Sequence, residues 1–335
     1  MAKNVLMILK IRVQESFHYK RGIHLGVVGA AGTMKTDSSH FYSCPLQKRH
    51  MVTDLGLGKD LLTELFPRPR NAEEWLQYAL SEEQVRHFKE HGYLHKVRLL
   101  NEEQLDALRN QLAEMVDPEH EGREFFYEYH SNESESVDQV LFHALGAWRV
   151  RPAFHDILWN PAFRMAAYQL LGTGFRLFHD QLFSKPAKHG SVVAWHQDYS
   201  YWTWTTPMAH LTCWMGLDDA DTENGCMYYV PDSHHWGLLE KTGLAGDMDA
   251  VREVLTPDQV ADFDNKIPVE VKAGEAAFHH PLMMHGSYEN RSDRKRRATL
   301  INVFADGVVS NREDDGTNAP GADNYPEVPR GERMG

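Results

Sequence analysis

The chain has 335 residues, 42% of them hydrophobic, enough for one sizeable buried core and at most two modest ones. A formal charge of -13 and a pI near 5.8 leave no basic footprint for nucleic acid and would be repelled by an anionic membrane surface. No run approaches the roughly 18 uninterrupted apolar residues of a membrane span, since the most apolar N-terminal stretch, Val5 to Leu9, stops at Lys10; the expectation is a soluble, cytoplasmic protein acting on a small molecule, its oligomeric state left open.

Residues 1–50 form a basic N-terminal extension, in which eight Lys or Arg stand against Glu15 and Asp37, a net +6 that leaves -19 on the remaining 285 residues. A basic, acid-poor leader is read as an organelle transit segment, a disordered arm, or an over-long start with Met51 as the true one. Residues 51–310 read as one domain and 311–335 as an irregular tail rich in Asp, Asn, Gly and Pro.

Ser81 and Gln84 have capping-box spacing, Val85 and Phe88 follow on one face, and Gly92 supplies a stop, which predicts a short helix. Asn101 and Gln104 repeat the signal. Leu105, Leu108, Leu112 and Met115 recur at three- and four-residue intervals and carry a second helix to about Val116. Pro161 after Asn160 opens a third, closed by Gly172. The region before residue 172 is thus expected to be mainly helical.

Beyond Gly174 the texture changes to short β-branched and aromatic runs cut by Gly, Pro, Asn and Asp: Phe175 to Ser184, His210 to Leu217, Met227 to Val230, Val269 to Val271, Ala276 to Phe278 and Thr299 to Phe304. Many short strands without intervening helices argue a β sandwich or barrel. An acidic stretch from Leu238 to Asn265 interrupts them and reads as a helical insertion plus loop. Cys44, Cys213 and Cys226 are odd in number and widely spaced, which gives neither a disulfide framework nor a zinc motif, and they are read as buried thiols.

The chain's single His-x-Asp step is His196-Gln197-Asp198. On an extended segment residues two apart point to one side, so an imidazole and a carboxylate there can converge on one cation. A distant second histidine would complete a 2-His-1-carboxylate face with open coordination positions, the arrangement of non-haem Fe(II) oxygenases.

Around this step the chain carries Trp195-His196-Gln197-Asp198, then Trp214-Met215-Gly216-Leu217-Asp218-Asp219-Ala220, then Glu223-Asn224-Gly225-Cys226-Met227 running into Val230-Pro231-Asp232-Ser233-His234. His285-Gly286-Ser287, Asn290-Arg291-Ser292 and the basic cluster Arg294 to Arg297 follow in order. In these motifs, and over roughly Leu80 to Phe304, it resembles the phytanoyl-CoA dioxygenase family of Fe(II)/2-oxoglutarate oxygenases. Met227 and Asp232 stand where the family usually has Leu and Gly, at positions without a catalytic role.

The resemblance implies a mainly β fold: a double-stranded β-helix, or cupin-like jelly roll, with flanking N-terminal helices and a helical insertion. It implies His196, Asp198 and His285 as ligands to Fe(II), with 2-oxoglutarate and dioxygen as co-substrates, and hydroxylation of an unactivated C–H with release of succinate and CO2. Arg296, eleven positions after the distal histidine, is the implied partner of the far carboxylate of 2-oxoglutarate, because a guanidinium fork gives two parallel charge-assisted bonds. Arg294 is the alternative, while Arg297 would face away on a strand.

Trp214 and Ser287 are second-rank co-substrate contacts, and Gln181 and Lys185, on the strand before the first ligand, could reach co-substrate or substrate. Tyr199, Tyr201, Trp202 and Trp204 could floor a substrate pocket, cage a cationic substrate, or simply fill the core. The pairs His234-His235 and His279-His280 are read as strand-edge or loop histidines, since adjacent side chains on extended chain point apart. Three rivals remain: a halogenase, disfavoured by Asp198; a non-catalytic jelly-roll metal- or ligand-binding protein, disfavoured by Arg296 and Trp214; and a zinc hydrolase, for which no general base accompanies the motif.

Overall fold

The computed structural model describes residues 53–58, 60–134, 138–241 and 246–311. The basic extension, Cys44 and the tail from residue 312 lie outside them. Helix Glu82–His91 begins at a reciprocal capping box between Ser81 and Gln84 and ends at Gly92, whose φ of 76° is a left-handed cap. Helix Glu102–Met115 repeats the box with Asn101 and Gln104 and buries Leu105, Leu108, Leu112 and Met115. Helix Pro161–Leu171 has Asn160 as its N-cap and Gly172 as its left-handed stop. Each box satisfies otherwise orphaned backbone donors, at about 1 kcal/mol per cap.

The core is a jelly roll of two facing antiparallel sheets. The larger has seven strands in the order Tyr93–Arg98, Glu275–His279, His210–Gly216, Arg296–Ala305, Phe175–Lys185, Phe142–Leu145, Glu128–His130; the smaller has four, Val193–His196, His285–Ser287, Met227–Tyr229, Ile267–Val269. Alternation along His210–Gly216 explains why the strand is buried throughout. Leu211, Cys213 and Met215 turn out against the helices in one apolar cluster. Trp214 turns inward to a separate cluster between the sheets.

Two features depart from the sequence reading. The region before residue 172, expected to be mainly helical, also carries three strands: Tyr93–Arg98, Glu128–His130 and Phe142–Leu145 extend the larger sheet on both sides. The last two are only three and four residues long, and Glu, His and Ala have little intrinsic strand preference, so their conformation is imposed by pairing, Phe142–Leu145 with Phe175–Lys185 and Glu128–His130 with Phe142–Leu145. The ligand-bearing strands Val193–His196 and His285–Ser287 were also not among the predicted runs.

The acidic insertion does contain helix Pro257–Asp264, capped by Thr256 and Gln259. Its Phe263 packs on Trp195 at 4.8 Å between ring centroids and covers the back of the smaller sheet. Cys213 and Cys226 are free and buried. No helix among the described residues is long and apolar enough to cross a membrane.

Candidate active site

His196 and His285, 89 positions apart in the chain, are direct cross-strand partners in the smaller sheet. Each imidazole donates its Nδ1 proton to the backbone carbonyl two residues earlier: His196 to Ala194 at 2.8 Å and His285 to Met283 at 2.9 Å. That bond fixes the tautomer and leaves both Nε2 lone pairs facing inward, as metal ligation requires. Asp198 sits two residues beyond the strand end, at the start of a 3-10 turn Asp198–Tyr201, and its Oδ1 lies 3.6 Å from each Nε2.

The three ligand atoms fall within 4.8 Å of one another, the one such group among the described residues. Atoms bound about 2.1 Å from an ion at right angles stand about 3 Å apart, so one ion can bridge all three with a small inward adjustment. Burial alone would raise the Asp198 carboxyl, but the imidazoles of His285, His196 and His279 outweigh it and hold the group well below the usual carboxylate range. Burial, with the neighbouring His196 and His279, keeps His285 neutral. The donor set, two neutral imidazoles and one carboxylate, fits a divalent ion with open positions.

Gln197, between the ligands, is buried and points the other way, donating to Gly237 and Leu282 carbonyls at 2.9 Å each and accepting from the Leu239 amide. It pins the metal turn to the start of the insertion.

A cavity of about 500 Å³ opens over the triad. At one end Arg296 is 2% exposed with no carboxylate paired to it among the described residues. Nε donates to the Gly225 carbonyl at 3.1 Å and Nη2 to Ser287 Oγ at 3.4 Å, and the guanidinium lies 5.6 Å from the Trp214 ring centroid. Burial lowers its pKa to about 10. Gly225 has φ of 82°, and a Cβ there would meet the Tyr288 carbonyl at 2.6 Å, so only glycine presents this carbonyl to Arg296.

The strand register sets Lys185 directly opposite Arg296. Lys185 is fully buried and does not reach the cavity, contrary to the sequence reading; its ammonium donates to Ser287 Oγ at 2.6 Å and the Tyr288 carbonyl at 2.7 Å. Burial and the Arg296 charge push its pKa well below the ordinary lysine range. Because lysine and arginine only donate, the Ser287 hydroxyl proton is left to point elsewhere, towards an acceptor entering the cavity. The Arg296 guanidinium beside this hydroxyl, with no carboxylate paired to it among the described residues, forms a cradle for an anion.

The other basic neighbours have partners of their own. Arg294 pairs with Asp221 at 2.7 Å and Glu223 at 3.5 Å, and Arg297 forks onto both oxygens of Asp218 at 2.8 and 2.7 Å. Arg297→Lys should therefore lower unfolding free energy by roughly 1–2 kcal/mol through the lost fork and leave the KM for 2-oxoglutarate within about threefold. Urea denaturation alongside steady-state kinetics checks both halves.

The opposite wall is built largely by residues the sequence reading missed. The accessory strands supply Glu128, His130, His143 and Leu145. His143 pairs with Glu133 at 2.8 Å and with Gln181 Oε1 at 3.1 Å. Burial would lower its pKa, but Glu133 more than compensates and the net shift is upward. Gln181, whose Oε1 faces the His143 ring, itself lines the cavity.

Tyr201, Trp202 and Trp204 line the cavity, but Tyr199 does not: its hydroxyl donates to the Thr205 carbonyl at 2.7 Å and braces the turn. The Tyr201 ring is faced by the chain's own Lys241, whose ammonium lies 4.0 Å from the centroid. His279, read as a strand-edge or loop histidine, ends strand Glu275–His279, is fully buried and contacts Asp198 Oδ2 at 2.9 Å. Its one sequence signal is that it ends a strand whose alternate residues face inward.

Comparisons with known proteins agree with this geometry. A family model described as phytanoyl-CoA dioxygenase (PhyH) matches residues 88–298. Phytanoyl-CoA dioxygenase 1 of Oryza sativa subsp. japonica is 26% identical over 258 residues, covering 68% of this chain and 89% of its own. L-proline trans-4-hydroxylase of Streptomyces griseoviridis is 30% identical over 158 residues, covering 42% and 59%. Among solved structures, the non-heme alpha-ketoglutarate-dependent carbocyclase SnoK from nogalamycin biosynthesis aligns with a TM-score of 0.57 at 25% identity, over 69% of this chain and 86% of that one.

Proposed function

The chain belongs to the phytanoyl-CoA dioxygenase family, and from that premise we propose that it hydroxylates an unactivated C–H bond of a small-molecule substrate, releasing succinate and CO2. It is a 2-oxoglutarate-dependent oxygenase that uses Fe(II), 2-oxoglutarate and dioxygen. The observation that best supports the site assignment is that one cavity holds both a three-ligand metal face and, at its other end, a buried guanidinium with no carboxylate partner among the described residues.

In this reading His196, Asp198 and His285 would hold the iron, and Arg296 with Ser287 would take the far carboxylate of 2-oxoglutarate. Iron and the 2-oxo acid, when bound there, would supply the oxidising power. The protein's part is placement. Trp214 and Leu300 flank the path between the triad and Arg296, Gln181 offers a donor to a substrate oxygen, and Phe178, Trp202 and Trp204 limit water at the reacting carbon. Asp198 supports hydroxylation over halogenation, because halide would need the coordination position that the carboxylate takes.

Metal-free protein reconstituted anaerobically with Fe(II), then given 2-oxoglutarate, isotopically heavy dioxygen and a substrate panel, should form succinate and a product carrying one heavy oxygen. Zn(II) should bind and inhibit. Turnover with Zn(II) as the sole metal contradicts the oxygenase assignment. Succinate with an unlabelled, rearranged product contradicts hydroxylation and indicates a cyclase or epimerase.

A further inference from the structure

A row of polar side chains crosses the inner face of the larger sheet beneath the metal triad. His179, Asn302, Thr212 and His279 come one from each of four adjacent strands and are successive register partners. All are at most 2% exposed. Two residues along, three of the four equivalent positions, Leu300, Trp214 and Ala277, are apolar and the fourth is the cavity-lining Gln181, so an unbroken buried polar row is not what this sheet needs for packing.

The row converges on Asp198. While Oδ1 faces the two ligand histidines, Oδ2 lies 2.9 Å from His279 Nε2 and 2.6 Å from Thr212 Oγ1. Behind these stand further groups: the Tyr229 hydroxyl is 2.8 Å from His279 Nδ1, Asn302 Oδ1 is 2.8 Å from Thr212 Oγ1, and Asn302 Nδ2 is 3.2 Å from His179 Nδ1.

Proton counting gives the row a direction. An ionised carboxylate only accepts, so His279 Nε2 and Thr212 Oγ1 both donate to it. With Nε2 donating to the carboxylate, His279 Nδ1 is the ring atom that faces the Tyr229 hydroxyl, which can donate to it. Thr212 has spent its single proton, so the second contact must be donated by Asn302; the amide therefore turns its NH2 to Thr212 and its oxygen to His179 Nδ1–H. Every contact is then satisfied, and both arms point at one oxygen.

We propose that His279, backed by Tyr229, and Thr212, backed by Asn302, are positioning residues that hold Asp198 as a one-oxygen ligand. The proposal rests on Asp198 being a metal ligand. An oxygen already holding two short hydrogen bonds is kept from turning to the ion, so the carboxylate occupies one coordination position and leaves the others to co-substrates.

The test titrates metal-free protein anaerobically with Fe(II) by calorimetry and with Co(II) by its visible absorption, which reports coordination number. His279→Leu and Thr212→Val should each weaken metal binding by roughly 10- to 100-fold, and the Co(II) spectrum should shift as the carboxylate is freed. His279→Gln, which returns an N–H, should recover most of the affinity. Wild-type affinity and spectrum in folded His279→Leu and Thr212→Val overturn the proposal. Should His279→Leu fail to fold, near-isosteric Thr212→Val and Tyr229→Phe decide, and wild-type binding in both overturns it. A wild-type protein that binds neither ion removes the metal assignment itself; wild-type binding with indifferent variants removes only the role of the row.

Discussion

Asp198→Ala is expected to lower 2-oxoglutarate turnover by at least ~100-fold and to weaken iron binding in parallel, since it deletes the single anionic ligand. The side chain is buried, and its two oxygens face different partners: Oδ1 the ligand imidazoles, Oδ2 the donors His279 and Thr212. Alanine therefore also strands two buried donors, which adds roughly 1–3 kcal/mol of destabilisation apart from any catalytic effect. Asp198→Asn keeps the shape and removes the charge. Measuring metal affinity and unfolding on both variants separates the effects, with low metal affinity expected in both and the larger stability loss in alanine. Native-like activity in Asp198→Ala would mean that the carboxylate ligand lies elsewhere.

Arg296→Lys should raise the KM for 2-oxoglutarate by one to three orders of magnitude with a much smaller change in stability. A lysine keeps the charge but loses the planar fork, and an imperfectly matched buried charge costs roughly 2–4 kcal/mol in binding, each ~1.4 kcal/mol being tenfold. Lys185 already stands opposite with its ammonium on Ser287, so a second compact ammonium cannot take over the contact without crowding the first. Steady-state kinetics at saturating iron and oxygen decide. A KM within threefold of wild type would move the anchor away from Arg296, although Arg294 and Arg297 are already committed to Asp221 and Asp218.

What was legible in the sequence was what is encoded locally. The capping boxes at Ser81 and Asn101 and the stops at Gly92 and Gly172 lie within a few residues of the groups they satisfy, and each helix follows from them. The His-x-Asp step was visible for the same reason, although Asp198 gains its direction from a turn rather than from an extended strand. The strands Glu128–His130 and Phe142–Leu145 were hidden because pairing, not composition, makes them strands, and with them went Glu133, His143 and the substrate-side wall.

Side-chain reach was equally hidden. Lys185 has the right sheet and the wrong reach, since its ammonium ends on Ser287. The polar row needed the register of four strands, which no single segment specifies: Thr212 and Asn302 read as ordinary strand residues until His279 and Asp198 are placed beside them.

The most direct measurement of the central claim is an anaerobic calorimetric titration of 2-oxoglutarate into the protein with and without Fe(II). Saturable binding should require the iron, disappear in Asp198→Ala and weaken by one to three orders of magnitude in Arg296→Lys, because the co-substrate is held at both ends. Equal binding with and without iron, or none to the iron-loaded wild type, would contradict a ferrous 2-oxoglutarate site at His196, Asp198 and His285.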